Sequence, residues 1–259
     1  MTFDRYTIQV LERATKVLQV LADSDGGLTL DELALRIGLH RATVYRILMA
    51  LKQENLIDRD ETMRYRLGVL CIQLGAASLR ELTWADIAFS IMNEISMESR
   101  ESVYLCVRNG CQMVNILTSP SPQGVQYYTR VGEAFPLYAG EAGKLILAHL
   151  PEPEVRLRLK ESLDALPRFP GTIIDEDDFL RELESIRQNG YSISKMEVSD
   201  DEVGIATPVK DYDGSIIATI SLVGPVNRMT DERLPDLISI MVLGARRISA
   251  NLGCMGETP

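Results

Sequence analysis

The sequence predicts an α+β protein, with a helical N-terminal part that closes on a short hairpin and a larger C-terminal part built on an antiparallel sheet. Apolar residues recur at helical spacing over roughly the first 50 residues, and a hairpin pattern follows them. Later, strand-like runs flank Asp213-Gly214 before helical spacing returns. With 259 residues, the chain is long enough for one large domain or two ordinary ones.

The composition is that of a soluble globular protein. The net charge is −10, 46% of residues are hydrophobic, and neither a transmembrane run nor a signal peptide is expected. The four cysteines form no C-x-x-C pair, which favours reduced thiols in a cytosolic protein without a metal or cofactor. With only two histidines, most histidine-based hydrolytic and metal chemistries have few side chains to use.

The charge is unevenly distributed. Residues 1–70 contain equal numbers of basic and acidic side chains, so the remainder carries the whole charge of −10. Nucleic-acid binding depends on local charge, so an acidic protein can still bind DNA through one segment. A neutral segment supports that function less strongly than a basic one would.

The first helices are separated by sequence signals for turns. An apolar stripe ends at "DSDGG", and Thr29 with Glu32 then forms a capping-box pattern that starts a second helix. Gly38 is placed to end that helix, and a third helix begins two or three residues later. The result is a helix, a tight turn and another helix.

The third helix has one apolar and one polar arc. Its apolar arc contains Val44, Ile47, Leu48 and Leu51. The opposite surface, including its flanks and first turn, presents a second set: Arg41, Ala42, Thr43, Tyr45, Arg46, Met49 and Gln53. For an isolated amphipathic helix, a solvated face would be the preferred interpretation.

The segment that follows favours DNA binding instead. In "LIDRDETMRYRLG" a polar turn at Asp60–Met63 joins two short runs, and Arg64 and Arg66 alternate with apolar side chains. A helix-turn-helix followed by such a hairpin is a winged helix. Its third helix can enter the major groove of double-stranded DNA, while Arg64 and Arg66 reach phosphates or the minor groove. A winged helix that binds another protein is the alternative.

Three stretches of the chain resemble the isocitrate lyase regulator (IclR) family of bacterial transcription factors. They are "LTLDELALRIGLHRATVYRILMALKQENLIDRDETMRYRLGVLCIQLG", "GEAFPLYAGEAGKLILAHLP" and "GIATPVKDYDGSIIATISLVGPVNR". The resemblance implies a winged helix, a linker helix and a GAF-like effector-binding domain, assembled as homodimers or pairs of dimers. We expect these parts at residues 1–68, 69–83 and 84–259.

A hairpin motif and a motif resembling a phosphate loop follow the linker. "VYLCVRNGCQMVNIL" predicts a hairpin with an Asn109-Gly110 turn, which would pair Arg108 with Cys111 and place Cys106 diagonal to Cys111, so that no disulfide forms. "YAGEAGKLIL" has the G-x-x-G-K of a phosphate loop but lacks its first glycine and its final Ser or Thr. This second motif predicts a helix start.

The runs around Asp213-Gly214 predict a hairpin in which residue i faces residue 427 − i. One face of these strands is ordinary apolar core. The other face has small side chains and isolated hydroxyls. Its residues include Gly204, Ala206, Ser221 and Val223. The residues alone leave two alternatives open, a small-molecule cavity above this face or a helix packed tightly on it. A final helix is expected to begin near Thr230-Asp231.

The family resemblance favours the cavity. It implies effector contacts from Ser194, Gly204, Ser221 and Val223, with Glu141 and Ala142 on a covering helix. Many family members have an acidic residue, a cysteine and a second serine where Ser194, Gly204 and Val223 stand. We therefore expect a less polar and roomier pocket, better suited to an aromatic or larger organic effector than to a glyoxylate- or pyruvate-like acid. Tyrosines that could line it are Tyr104, Tyr128 and Tyr138.

The function that these observations predict is a cytoplasmic, ligand-responsive transcription factor, with repression more usual in the family than activation. An effector-free architectural DNA-binding dimer is one alternative. An enzyme is another, but the sequence offers no paired nucleophile and base, metal cluster or phosphate loop. No membrane partner is expected.

Overall fold

The computed structural model describes residues 8–81, 84–165, 169, 171 and 175–254. The chain divides into two compact units, Met1–Thr83 and Trp84–Pro259. Residues 82 and 83, where the sequence predicts the boundary between the linker and the effector domain, lie outside the described residues. In the described part, no helix combines the length and apolar character needed to cross a membrane.

The N-terminal unit has the element order of a winged helix. Its elements are α1 (Gln9–Ala22), α2 (Leu30–Ile37), α3 (Arg41–Gln53), β1 (Ile57–Arg59), β2 (Tyr65–Leu67) and α4 (Val69–Glu81). The predicted capping box is present, because Thr29 accepts from the backbone N–H of Glu32 while the Glu32 carboxylate accepts from the N–H of Thr29. Gly38 ends α2 in the left-handed conformation, at φ 72°.

One apolar core holds the three helices and the hairpin together. Leu33, Val44, Leu48 and Tyr65 are all fully buried in it. In α1 the apolar stripe is buried only toward its C-terminal end, at Val17 and Leu21. Its first residues are exposed, namely Ile8 and Leu11.

The C-terminal unit is built on a six-stranded antiparallel sheet with the strand order β5-β4-β3-β8-β7-β6. Its strands are β3 (Ser102–Asn109), β4 (Gln112–Ser119), β5 (Ala134–Pro136), β6 (Ser192–Lys195), β7 (Glu202–Lys210) and β8 (Ile216–Pro225). Its helices are α5 (Ala85–Ser99), α6 (Gly140–Ala148), α7 (Glu152–Ala165), α8 (Glu176–Asn189) and α9 (Leu234–Asn251). Helices α5 and α9 pack on one face of the sheet, and α6 and α8 pack on the other.

The register of β7 and β8 confirms the predicted pairing. Gly204 faces Val223, Ala206 faces Ser221, and Pro208 faces Thr219. Because side chains alternate along a strand, the face with small residues and hydroxyls points toward α6. The opposite, apolar face of these strands packs against α5 and α9.

Two local predictions were wrong. In the β3–β4 hairpin Asn109 pairs with Gln112, so Gly110 and Cys111 form the loop instead of Asn109 and Gly110. Gly110 has a φ of 63°, and glycine is favoured at the first central position of such a two-residue loop. The cysteines are free thiols. The last helix, α9, begins at Leu234 without a side-chain cap, a few residues after the predicted capping pair.

Candidate nucleic-acid interface and effector cavity

Helix α3 presents one side to solvent and buries the other. It begins after His40, whose Nδ1 accepts from the backbone N–H of Ala42 at 3.3 Å. Val44, Leu48 and Leu51 anchor it in the core. The exposed surface of α3 includes Arg41, Ala42, Tyr45 and Arg46, with Thr43 half-buried beside them. These are the residues that the sequence predicts to contact DNA.

The arginines of α3 are available to a ligand. Arg41 forms an ion pair with Asp31 at 3.1 Å, but both side chains are about two-thirds exposed, and such pairs contribute little to stability. Among the described residues, Arg46 has no acidic side chain within ion-pair distance. A phosphate or a base edge could therefore bind either guanidinium without breaking a strong contact.

The two predicted wing arginines differ in what they contact. Arg66 is 56% exposed and lies 2.9 Å from an oxygen of Asp60 across the hairpin. Arg64 is half-buried, and its Nη1 donates to the carbonyl of Gly27 at 2.8 Å and lies 3.3 Å from Glu32 Oε2. Arg64 therefore ties the wing to the start of α2, a contact between distant segments that the sequence did not predict.

The same carboxylate links the wing to the capping box. The backbone N–H and hydroxyl of Thr29 both donate to Glu32, and they hold its pKa below the ordinary value, with a smaller contribution from Arg64. A further wing cation, Arg59, lies over the ring of Tyr65 with 5.0 Å to the centroid. Arg59 was not predicted from the sequence, although its position just before the polar turn could have indicated it.

A cavity of about 80 Å³ lies in the C-terminal unit between the sheet and the first turn of α6. This volume is well below the several hundred Å³ of most small-molecule sites. The residues that line it are Tyr104, Cys106, Met113, Tyr127, Thr129, Phe135, Ala139, Gly140, Glu141, Ala142, Gly143, Val198, Glu202, Ser221 and Val223.

The structure brings some of the predicted effector-contacting residues to this cavity and not others. Glu141, Ala142, Ser221 and Val223 line it, together with Tyr104. The remaining predicted positions lie elsewhere. Ser194 is buried and its hydroxyl donates to Glu197 at 3.2 Å, and Ala206 is in the core beneath α6. Tyr128 is 67% exposed and Tyr138 is fully buried in the same core, while Tyr127 takes a lining position that the sequence did not predict.

Gly204 does not leave open volume, so the expectation that this glycine makes the pocket roomier was wrong. A Cβ at Gly204 would collide with Oε2, Cδ and Cγ of Glu141. The Glu141 side chain thus fills the space above the glycine and brings a carboxylate to the cavity. Cavity and packed helix, offered as alternatives by the sequence, are both present.

The electrostatics of the cavity are dominated by acids. Burial raises the pKa of Glu141 above its ordinary value. Burial also raises the pKa of Glu202 to about 7, helped by repulsion from Glu141, Asp201 and Glu197. The buried hydroxyl of Ser221 lies near the Glu141 carboxyl and lowers its pKa slightly, but it forms no hydrogen bond of good geometry with the described residues.

One buried lysine lies three residues along α6 from Glu141. The Nζ of Lys144 is 2.6 Å from Glu182 Oε1 and 2.6 Å from Glu197 Oε2, with only 4% of the side chain exposed. Burial alone would lower the pKa of Lys144, but the carboxylates of Glu197 and Glu182 outweigh it and leave the pKa raised. Its charge is therefore largely committed to those two acids. In the described ranges, no group of His, Cys, Asp and Glu side chains is arranged to hold a metal ion.

Comparison with known proteins gives consistent matches over both units. The family described as "IclR helix-turn-helix domain" matches residues 10–61, and "Bacterial transcriptional regulator IclR C-terminal" matches residues 76–250. The HTH-type transcriptional regulator KipR of Bacillus subtilis is 31% identical, over 87% of this chain and 90% of KipR. The HTH-type transcriptional repressor AllR of Escherichia coli is 30% identical, over 95% of this chain and 90% of AllR.

A solved structure with a bound small molecule is also similar. It is an IclR homolog from Microbacterium hydrocarbonoxydans complexed with 4-hydroxybenzoate. The two chains share 25% identity and a TM-score of 0.79, over 94% of this chain and 98% of that one. The α+β architecture described above is therefore that of solved IclR structures.

Proposed function

Because this chain belongs to the IclR family of bacterial transcriptional regulators and is a DNA-binding regulator, we propose that it represses transcription in response to a small organic effector. In this proposal α3 reads the major groove of operator DNA, and the cavity beside α6 binds the effector. The protein acts in the cytoplasm, where the operator DNA lies.

The observation that carries the proposal is the exposed surface of α3. Tyr45 and Arg46 project to solvent from a helix whose opposite side is fixed in the core by Val44 and Leu48. A rigid helix with exposed arginine and tyrosine side chains fits the major groove, where arginine can donate two hydrogen bonds to guanine. The exposed Arg66 is positioned on the hairpin to contact a phosphate.

A homodimer, or a pair of dimers, would present two winged helices to two half-sites. Exposed apolar side chains in or next to α1 and α4 supply surface for such assembly. They are Ile8, Val10, Leu11, Val69, Ile72 and Leu74. Two-fold symmetry of the protein would then be matched by two-fold symmetry in the operator.

Control by an effector requires that the ligand binds two arrangements of the dimer with different affinity. The cavity beside α6 supports such a role for a small effector, because its volume of about 80 Å³ combines apolar walls with a few polar groups. A related regulator binds 4-hydroxybenzoate, and AllR is named a repressor. We extend both properties, effector binding and repression, to this chain.

The test uses labelled DNA from the region directly upstream of the protein's own coding sequence. We expect the full chain to bind this DNA more tightly than scrambled DNA of equal length and to protect two half-sites about one helical turn, roughly 34–36 Å, apart. Equal affinity for both DNAs would contradict a specific regulator. In cells, a reporter fused to the same region should rise in activity when the protein is removed, and a fall would indicate an activator.

A further inference from the structure

We propose that the cavity selects a ligand with a positively charged group, such as the ammonium of an organic amine, and that Glu141 and Glu202 are the side chains that accept it. This inference rests on the proposed function, because it names the chemical class of effector for the same cavity. It assigns to Glu141 and Glu202 the part of specificity that depends on charge.

The charge of the cavity points to a missing cation. Among the described residues that line it, the charged ones are Glu141 and Glu202, and both are acidic. Lys144 attracts Glu141 at a distance, but its ammonium contacts the carboxylates of Glu182 and Glu197. Among the described residues, Glu182 and Glu197 therefore share the ammonium of Lys144, and no cation contacts Glu141 or Glu202.

The same sheet contains an acid of similar geometry that does have its cation. Glu101 lies over Gly224 as Glu141 lies over Gly204, since a Cβ on either glycine would collide with the carboxylate above it. Glu101 accepts two hydrogen bonds from Arg228, at 2.7 and 2.6 Å. Among the described residues, no arginine or lysine contacts Glu141 in this way. A ligand cation would supply the counter-charge that Arg228 gives to Glu101.

The other walls of the cavity fit an organic cation. The rings of Tyr104, Tyr127 and Phe135 line it, and aromatic faces attract positively charged groups. Met113 and Val223 add apolar surface for a carbon skeleton. The hydroxyl of Ser221, which lies near Glu141 but makes no hydrogen bond of good geometry with the described residues, offers one further polar contact.

The cavity is less well suited to an acidic ligand than to a cationic one. The first turn of a helix usually favours an anion, but α6 already has the carboxylate of Glu141 in its first turn. A second anion would lie beside Glu141 and Glu202, so both would have to be protonated before it could bind well. Burial is the main cause of the raised pKa of both carboxyls, and a ligand cation beside them would lower it again.

The experiment compares amines and acids with similar skeletons, using the full chain at pH 8. The probes are benzylamine with benzoate, and tyramine with 4-hydroxyphenylacetate. Binding is measured by titration calorimetry and by the shift in melting temperature that a ligand of the native state produces. We expect each amine to bind at least about ten-fold more tightly than its acid partner. Glu141→Gln should reduce that preference about ten-fold, and Glu98→Gln, an exposed control, should leave it unchanged.

A second measurement needs no ligand. If Glu141 lacks a counter-charge, Glu141→Gln should raise the melting temperature of the free protein at pH 8. A lower melting temperature in that variant would overturn the inference, because it would show that the carboxylate already has a partner.

The outcomes separate this inference from the proposed function. Acids that bind as tightly as their amine partners, or more tightly, would overturn the amine assignment and leave an effector-binding regulator intact. If no amine binds, the assignment is also overturned. If acids fail as well and operator affinity responds to none of the probes, the cavity itself loses its support as an effector site.

Discussion

The N-terminal unit exposes the charges proposed to contact DNA, whereas the C-terminal unit withdraws the charges near its cavity from solvent. Arg41 and Arg46 stand on a solvated helix surface, and the ion pair of Arg41 with Asp31 is open to water. In the C-terminal unit Lys144 and Glu197 are almost completely buried, and Glu141 is half-buried. The two units therefore keep their charged groups in place by different means.

A charged side chain can be left without a partner on the protein surface but not in its interior. On the surface, water replaces a lost partner at little cost, so arginines can remain unpaired in the free protein and still bind a polyanion such as DNA. In the interior an unpaired charge is expensive, so each buried acid must find a cation or become protonated. An acid that lines a cavity without a cation in contact, such as the half-buried Glu141, is thus a stronger indication of a ligand than a fully exposed charge.

The largest expected effect comes from removing the buried cation. Lys144→Met should lower the free energy of unfolding by about 3–5 kcal/mol, because it leaves Glu182 and Glu197 without their shared partner. Denaturant unfolding can be followed through Trp84, the one tryptophan of the chain, which packs on the core of this unit. Lys195→Met is the matched control, since Lys195 pairs with Asp231 on the surface and should cost less than about 1 kcal/mol. Equal losses in the two variants would remove the contrast between buried and exposed charge.

The next effect tests whether Glu141 fills the space above Gly204. Gly204→Leu should destabilise the C-terminal unit by about 1–3 kcal/mol, because the new side chain overpacks a site already occupied by the Glu141 carboxylate. In a Glu141→Ala background the same change should cost much less, and a double-mutant cycle measures the difference. Additive losses would show that the two positions do not compete for space.

The elements of the fold were largely predictable from the sequence. The capping box at Thr29 and the positive φ at Gly38 are local features, fixed by residues close in sequence. The register of β7 and β8 followed from the position of the Asp213-Gly214 turn, because side-chain parity along a strand is strict. The predicted register of β3 and β4 was wrong because both Asn-Gly and Gly-Cys could occupy the two loop positions.

The contacts of the candidate site were predictable only in part. Glu141 and Gly204 are far apart in sequence, and nothing local indicates that one side chain fills the space of the other. The contact of Arg64 with the carbonyl of Gly27 is also long-range. Tyr127 and Tyr128 are neighbours, and their choice between cavity and solvent depends on the path of a loop that has no periodic pattern. These features need the tertiary structure.

On the exposed side of the comparison, Arg46 should be the most sensitive residue. Arg46→Ala should weaken operator binding by about 1–3 kcal/mol if the arginine donates to a guanine, and relax specificity at that base pair. Fluorescence anisotropy with operator DNA measures the loss, and the melting temperature should not change because the side chain is exposed. Arg246→Ala, which removes an exposed charge from α9, is the control. Unchanged operator affinity in a folded Arg46→Ala protein would exclude α3 from base recognition.

A smaller effect should appear in the pH dependence of stability. The pKa of Glu202 is raised to about 7 in the folded protein, so ionising it above its ordinary pKa destabilises the fold. Relative to Glu202→Gln, the parent protein should lose stability as the pH rises from about 5 to 8, by about 1 kcal/mol given the partial exposure of the side chain. Glu98→Gln should show no such trend. A constant difference across this pH range would mean that Glu202 keeps an ordinary pKa.

The smallest effects should distinguish the two arginines of the wing. Arg66 is exposed and pairs only with Asp60 among the described residues, so Arg66→Ala should weaken binding to all DNA sequences and reduce the salt slope by up to about one unit. The melting temperature of the protein should change little.

Arg64→Ala should behave differently, because its guanidinium is engaged within the protein by Gly27 and Glu32. Loss of those contacts should lower the stability of the N-terminal unit by about 1 kcal/mol, while the salt slope changes less than it does in Arg66→Ala. Anisotropy titrations at several salt concentrations and thermal unfolding followed by circular dichroism give both quantities. If Arg64→Ala changes the salt slope as much as Arg66→Ala and leaves stability intact, Arg64 releases its internal contacts to bind a phosphate. The wing would then resemble α3, because both Arg64 and Arg66 would be available to bind DNA.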